Sequence, residues 1–367
     1  MLRATIILLL VSSLLTTTVW VLLIPYTQLA SPIELGDAAD KLPDKLVHLD
    51  ADYHPETVKH LHWQDTYMEL NVKARLGNQL FAYAALREFS TMKNSTPIIF
   101  PDYGDIAAIF KIKPRPYVQR DRSGFAQFTE MRRNISGTLA EIERLQPGNI
   151  SFHGYFQSPK YFETVKREIR NEYVFVDVIA TEAKEFLRSQ IPKSWLGKEF
   201  IQVGIHVRRT DHVSYKFIEQ LGFRFPPPSY FELAMAYFEE RHSRVQFIVA
   251  SDDPDWCRDF FRPFDKNVAF STNHSAAVDL AIMASCSHSI TTIGTFSWWA
   301  GWLCPGITIY YANYNKRPSW VSMVLNPSHY IPDDEYNHWI AMRREDDKNV
   351  FRKTIITEEE WEAINNI

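Results

Sequence analysis

No Cys-x-x-Cys pair and no His-Glu-x-x-His run occurs in the 367 residues, so a zinc site has no support in residue spacing. Cysteine is scarce. Cys257, Cys286 and Cys304 all lie in the C-terminal half, which limits an oxidising compartment to one internal bridge with one thiol over, and the spacing does not choose the pair. A formal net charge of only -4 removes any general pull toward nucleic acid, and no recognition module of that kind is present. Ser297 lacks the Gly-x-Ser-x-Gly elbow, which excludes a serine hydrolase of that type. Internal repeats and low-complexity tracts are also missing.

A further gap concerns basic residues. Between Arg3 and Lys41 there is none, and Ala4 through Ile24 is an uncharged, mostly apolar run, long enough at about twenty residues to cross a bilayer as a helix. With positive charge on its short side, the run is expected to be a signal anchor, with residues 1–3 cytoplasmic and the body lumenal. The alternative is a secretory signal cut after Ala30, although the apolar run exceeds a normal signal core. Residues 25–63 lack a sustained period and carry Pro, Asp and Gly, which suits a stem. Four Asn-x-Ser/Thr sequons, at Asn94, Asn134, Asn149 and Asn273, fit a lumenal chain.

The body alternates strand and helix patterns, hence an α/β fold. Tyr67–Val72 reads as a strand and Leu76-Gly77 as a turn. Asn78 is a candidate cap for a helix from Gln79 to about Ser90, whose Leu80, Phe81, Ala84, Ala85 and Phe89 share a face. Residues 97–100 return as a strand, whereas about 103–157 reads irregularly, as helical cover or acceptor loops. Further strands are expected from Phe200, over 245–250, around Ile290 and over 307–310, with helices at about 229–241 and 276–284.

Two segments carry chemistry. Gly204-Ile205-His206-Val207-Arg208-Arg209-Thr210-Asp211 closes an apolar strand with two guanidiniums, whose planar forks suit phosphate oxygens, at the strand end where open α/β sheets bind ligands. An ordinary strand-end ion pair between Asp211 and Arg209 is the plainer account. After the strand near Ile290, Thr295-Phe296-Ser297-Trp298-Trp299 opens a helix, with Thr295 or Ser297 as cap, offering N–H groups and a positive dipole end to an anion. Trp298, Trp299 and Trp302 fall at helical spacing and are expected in the core.

Together with Arg75-Leu76-Gly77-Asn78-Gln79-Leu80-Phe81-Ala82-Tyr83-Ala84, Gly154-Tyr155-Phe156-Gln157-Ser158-Pro159-Lys160-Tyr161-Phe162, and Asp279-Leu280 through Ser285-Cys286-Ser287-His288, these segments resemble the α1,2-fucosyltransferases (galactoside 2-α-L-fucosyltransferases, glycosyltransferase family 11-like). Where the family shows glycines before Leu-Gly-Asn-Gln, this chain has Ala74 and Arg75. The resemblance implies two Rossmann-like lobes facing a cleft, GT-B-like, behind the N-terminal transmembrane helix. An acceptor lobe is expected over 64–195 and a GDP-fucose lobe over 196–367. It also implies a single-pass type II Golgi membrane enzyme that moves L-fucose from GDP-fucose to the 2-hydroxyl of terminal galactose, inverting C1, with no cofactor and no metal.

In that scheme Arg208, Arg209 and Asn78 are the catalytic candidates. His206 and Asp279 are expected at the nucleoside, and Asp211, Thr295, Phe296 and Ser297 elsewhere on the donor. Two Asp-x-Asp triplets exist, Asp50-Ala51-Asp52 in the stem and Asp253-Pro254-Asp255 after a strand; two fixed guanidiniums make an ion redundant. The general base stays open among Asp211, Asp102, Asp105 and Glu69, or no base at all. Other readings are a different GDP-fucose transferase, α1,6 or protein O-linked, and a non-catalytic lumenal glycan-binding protein.

Overall fold

The chain between Tyr67 and Lys353 builds two sheets in the computed structural model, which describes residues 66–71, 74–98, 106–112, 124–131, 134–209, 223–264, 267–312, 331–332, 338–345 and 350–353. The anchor and stem, Thr210, Asp211, Asp102, Asp105 and the Asp50 triplet lie outside these residues. Among the described residues no helix is long and apolar enough to cross a membrane.

The first sheet is formed by β1 (Tyr67–Asn71), β2 (Thr96–Ile98), β3 (Ala126–Thr129) and β4 (Ile150–His153), all parallel, in the order β2-β1-β4-β3. Helix α1 (Leu76–Met92) joins β1 to β2, with α2 (Ile106–Ile109) and α3 (Ile135–Arg144) farther along. The segment expected to be irregular therefore holds α2, β3, α3 and β4. Its strands are four residues each, and only Phe128 is buried in β3, too short a run to show a period.

Rich in Ala and Leu, α1 starts three residues earlier than expected. It ends where Asn94 takes a left-handed φ of 48° while Ser95 N–H donates to Ser90 O at 2.8 Å, a Schellman closure. The five residues expected on one face divide between two cores. Leu80, Phe81 and Ala84 pack with the tryptophans of the second half, whereas Ala85 and Phe89 pack with Phe152 and Phe128 of the first sheet. A helix wetted on one side needs one apolar stripe; α1 lies between two packed layers and is buried or half-buried nearly all round.

The second sheet contains β5 (Ile201–Val207), β6 (Val245–Ser251), β7 (Val268–Phe270), β8 (His288–Thr291), β9 (Ile307–Tyr311), β10 (His338–Glu345) and an antiparallel edge strand β11 (Val350–Lys353). Its order is β11-β10-β9-β8-β5-β6-β7. The chain steps outward from β5 to β7, returns to β8 on the other flank and steps outward again, so the direction of winding reverses between β5 and β8. Such a reversal opens a crevice at the carboxyl ends of those two strands.

Helices cover both faces of this sheet. Val203, Ile205 and Val207 point toward α6 (Pro228–Glu239) and α7 (Pro254–Phe261). Gly204 points the other way, and a Cβ there would lie 2.8 Å from Met283 of α8 (Ala276–Ser285). Helix α9 (Thr295–Leu303) follows β8, and Trp298, Trp299 and Trp302 are buried as expected. Phe81 of α1 sits 4.6 Å from Trp298 and 5.0 Å from Trp299, centroid to centroid, and burying one such ring is worth roughly 1.5–3 kcal/mol. The three cysteines are free, buried thiols. Burial pushes Cys257 up to about 12 and Cys304 up to about 11, so they are packing groups rather than nucleophiles.

Between the sheets run α4 (Lys166–Glu172) and α5 (Asp177–Ser189). Buried Glu88 of α1 ties this segment down. It accepts from Thr164 Oγ1 at 2.6 Å, Thr164 N–H at 3.0 Å and Val165 N–H at 3.3 Å. Replacing Glu88 with Ala strands those donors and should cost about 2–4 kcal/mol in urea unfolding, with Glu88→Gln, which keeps a carbonyl acceptor, costing less.

Candidate active site

At the carboxyl end of β5 the two arginines part company, because adjacent residues of an extended chain point to opposite faces. Arg208 goes to the α9 side: its Cδ and Nη1 would lie 3.2 and 3.3 Å from a Cβ on Gly294. Gly294 has a φ of +108°, which favours glycine, and the missing side chain leaves the room Arg208 occupies. Arg209 goes to the α7 side, where its guanidinium pairs with Asp253 and lies 4.5 Å from the Trp256 ring centroid. Its backbone N–H donates to Asp252 Oδ1 at 2.8 Å. Asp253 and Asp252 thus engage Arg209, and Asp253 also caps α7 by accepting from Trp256 N–H.

Neither expected hydroxyl cap of α9 is a cap. Gly294 holds the N-cap position, so Thr295 and Ser297 sit inside the first turn and are used sideways. Ser297 Oγ donates to Ile293 O at 3.2 Å and lies 2.6 Å from His206 Nδ1 and 3.4 Å from Thr292 Oγ1. Thr292 Oγ1 accepts from Arg208 N–H at 3.2 Å, which closes a polar chain across the ends of β5 and β8. The short contact serves either ring tautomer: Ser297 accepts from Nδ1 when that nitrogen carries the proton and donates to it when Nε2 does. Burial lowers His206 to about 4, Asp252 opposing and Arg208 reinforcing the shift, so the ring is neutral at physiological pH. Phe296 packs on it at 4.7 Å.

Asn78 likewise is not a cap. Arg75 occupies that position in α1, with no side-chain bond to the helix, and Asn78 lies in the first turn. Its Oδ1 accepts from Thr295 Oγ1 and from Gln157 Nε2, each at 2.8 Å, so a single oxygen joins the α1 start, the α9 start and the chain leaving β4. Gly77 makes that junction possible: a Cβ there would lie 2.5 Å from Phe296 N and 2.7 Å from Thr295 Oγ1. Two helix N-termini therefore meet. Neither has an acidic residue in its first turn, and Arg208 lies against one of them. Each start carries roughly half a positive charge, so the junction is set up for an anion.

Asp279 stands apart from this junction, in the first turn of α8. Its Oδ1 accepts from Ser271 Oγ at 2.5 Å, and the same hydroxyl lies 2.8 Å from His274 Nδ1. Ser271 and His274 had no signal in the sequence, nor did Gln157 or Thr292 as individual residues. Glu69 is fully buried in β1, its Oε1 accepting from Ser151 at 2.7 Å. Among the described residues no group of three or more His, Cys, Asp or Glu side chains is placed to hold a metal ion. Of the sequons, Asn94, Asn134 and Asn273 are exposed. Asn149 instead accepts from Tyr67 N–H at 3.0 Å, and the Ser151 hydroxyl of its triplet is buried.

The sequence pattern of Glycosyl transferase family 11 matches residues 45–323. "Galactoside 2-alpha-L-fucosyltransferase Sec1" of Mus musculus is 32% identical over 270 residues, covering 72% of this chain and 72% of that protein. "Galactoside alpha-(1,2)-fucosyltransferase 2" of Rattus norvegicus is 32% identical over 263 residues, covering 70% of this chain and 73% of that one. Among solved structures, an Arabidopsis thaliana FUT1 variant in complex with GDP aligns at 10% identity and a TM-score of 0.46, covering 72% of this chain and 76% of that one.

Two outcomes follow from the geometry. Arg208→Ala should lower turnover about 100- to 1000-fold, the usual effect of removing one aimed donor, and Arg209→Ala should lower it too, by loosening the end of β5 that its pair with Asp253 holds. The unfolded His206 protonates near 6.5 but the folded one only near 4, so the stability it contributes is complete above pH 6.5 and is lost as pH falls toward 4. The gap in urea midpoint between wild type and His206→Gln should accordingly vary with pH across that window and stay constant above it.

Proposed function

The chain belongs to glycosyl transferase family 11, and from that premise we propose that it transfers L-fucose from GDP-fucose to the 2-hydroxyl of terminal galactose on glycans, forming an α1,2 linkage with inversion at C1. The observation that carries this reading is the meeting of the α1 and α9 N-termini beside Arg208. When the bond from fucose C1 to the β-phosphate oxygen breaks, its electron pair stays with GDP. Fixed positive charge at that oxygen stabilises the departing diphosphate without reorganisation, and one such donor is typically worth about 2–4 kcal/mol of barrier.

In this scheme Arg208 and the first-turn N–H groups of Thr295, Phe296 and Ser297 hold the diphosphate. Asn78 keeps the two helix starts together and so fixes where the charge sits. Arg209 fixes the end of β5 through Asp252 and Asp253. Neutral His206 offers Nε2 to the nucleoside, with Asp279 accepting from the base and Asp211 also on the donor side. The fixed cationic groups supply the charge that a divalent ion supplies in metal-dependent transferases, so the reaction is expected to proceed without metal.

The first sheet belongs to an acceptor lobe, 64–195, and the second to a donor lobe, 196–367, facing one cleft in a GT-B-like arrangement. Ala4–Ile24 anchors the enzyme in the Golgi membrane as a type II protein with its body in the lumen, where Asn94, Asn134 and Asn273 are the sequons available for glycans.

Full-length protein in detergent, given GDP-fucose and β-galactoside acceptors, should form product that an α1,2-specific fucosidase cleaves, in a yield unchanged by chelator. Fucose in α1,6 linkage or on protein hydroxyls would replace the proposed acceptor. Glycan binding with no transfer would replace catalysis, and loss of product with chelator would overturn metal independence.

A further inference from the structure

Glu130 lies outside every sequence block that pointed to the crevice. It follows β3, and its backbone N–H donates to His153 O at 2.8 Å, which extends the β3–β4 pairing by one step. Its side chain then engages the chain that leaves β4. One carboxylate oxygen, Oε2, accepts from the backbone N–H groups of both Tyr155 and Phe156, each at 3.0 Å.

The segment so held is in a costly conformation. Phe156 has a φ of +46°, in the left-handed region that a bulky residue rarely enters, and Gly154 has a φ of +151°. Glycine is required at 154 on a second count, since a Cβ there would lie 2.5 Å from Glu130 Cβ and 2.6 Å from its Oε2. The Phe156 ring is fully buried, edge-on to Phe89 at 5.1 Å and to Tyr161 at 5.2 Å. Ring packing fixes the side chain, and the carboxylate satisfies the two N–H groups that the turn takes out of the sheet. The next residue is Gln157, whose Nε2 donates to Asn78 Oδ1, the atom that also accepts from Thr295.

We propose that Glu130 is a positioning residue: by clamping the Tyr155 and Phe156 N–H groups it sets Gln157 against Asn78 and so holds the joined starts of α1 and α9 in register. An oxygen engaged by two backbone donors is placed to hold the chain rather than to take a substrate's proton. The catalytic side of this inference rests on the proposed transferase reaction; the structural side does not.

The test uses the full-length protein with Glu130→Ala, Glu130→Gln, Gln157→Ala and the double variant Glu130→Ala/Gln157→Ala. Glu130→Ala should raise amide exchange over residues 154–158 and lower kcat about 10- to 100-fold, the scale of a small misplacement at an active site, with KM for GDP-fucose nearly unchanged. Glu130→Gln, whose carbonyl oxygen can accept both N–H groups, should restore most of both. The double variant should be no worse than the poorer single, because the two residues act in series. If Glu130→Ala does not fold, Glu130→Asp, whose shorter carboxylate reaches the two N–H groups less well, takes its place. Unchanged exchange at 154–158, unchanged kcat, or losses that multiply in the double variant would overturn the assignment. A wild-type protein without transferase activity would overturn the proposed reaction instead, and the exchange measurements would then decide the role of Glu130.

Discussion

Two helices begin against one another, and most of what is distinctive in this chain serves that contact. Helix starts repel, since each presents unpaired N–H groups and the positive end of its dipole. Here the backbones touch at Gly77 and Phe296, no first-turn acid relieves either start, and the joining side chains are a neutral amide and a hydroxyl. The tryptophans of α9 and Phe81 of α1 supply the apolar burial that keeps the contact closed just behind the junction. An unfavourable electrostatic arrangement is held in place by packing, and an anion bound there would relieve it.

The doubly wound second sheet decides which side chains join the junction. Reversal of winding between β5 and β8 brings Arg208, Thr292, Gly294 and Ser297 to one crevice although some eighty residues separate the two strands in sequence. Strand alternation then sorts the twin arginines, one against Gly294 and one against Asp253 and Trp256. A pair that looks equivalent in sequence becomes one cation beside the helix starts and one that braces the strand end.

Much of the architecture was legible because it rests on long periodic runs. The strands around Ile205, Phe247, Ile290 and Ile309 are buried on both faces, and α6 and α8 begin within one residue of the expected positions. Errors fell where the signal is a single residue. Asn78, Thr295 and Ser297 are all good capping types, yet each lies one to three positions inside its helix, because Arg75 and Gly294 occupy the caps. Short β3 and β4 gave no period. The face assigned to α1 was too narrow because a helix packed on both sides has no single face.

Residue order alone determined the chemistry on offer: guanidiniums at a strand end, hydroxyls at a helix start, a glycine before each helix's polar residues, and the spacing by which the family is known. Only the tertiary structure decided which of these meet. Asn78 reaches Thr295 across 217 residues, Glu130 reaches Tyr155 and Phe156 through the pairing of β3 with β4, and Arg209 finds Asp253 on the neighbouring strand's exit. Local propensity reports on a few residues at a time, whereas a hydrogen bond between distant elements depends on strand order and on the close approach that a missing Cβ permits, and neither is written in any short window of the chain.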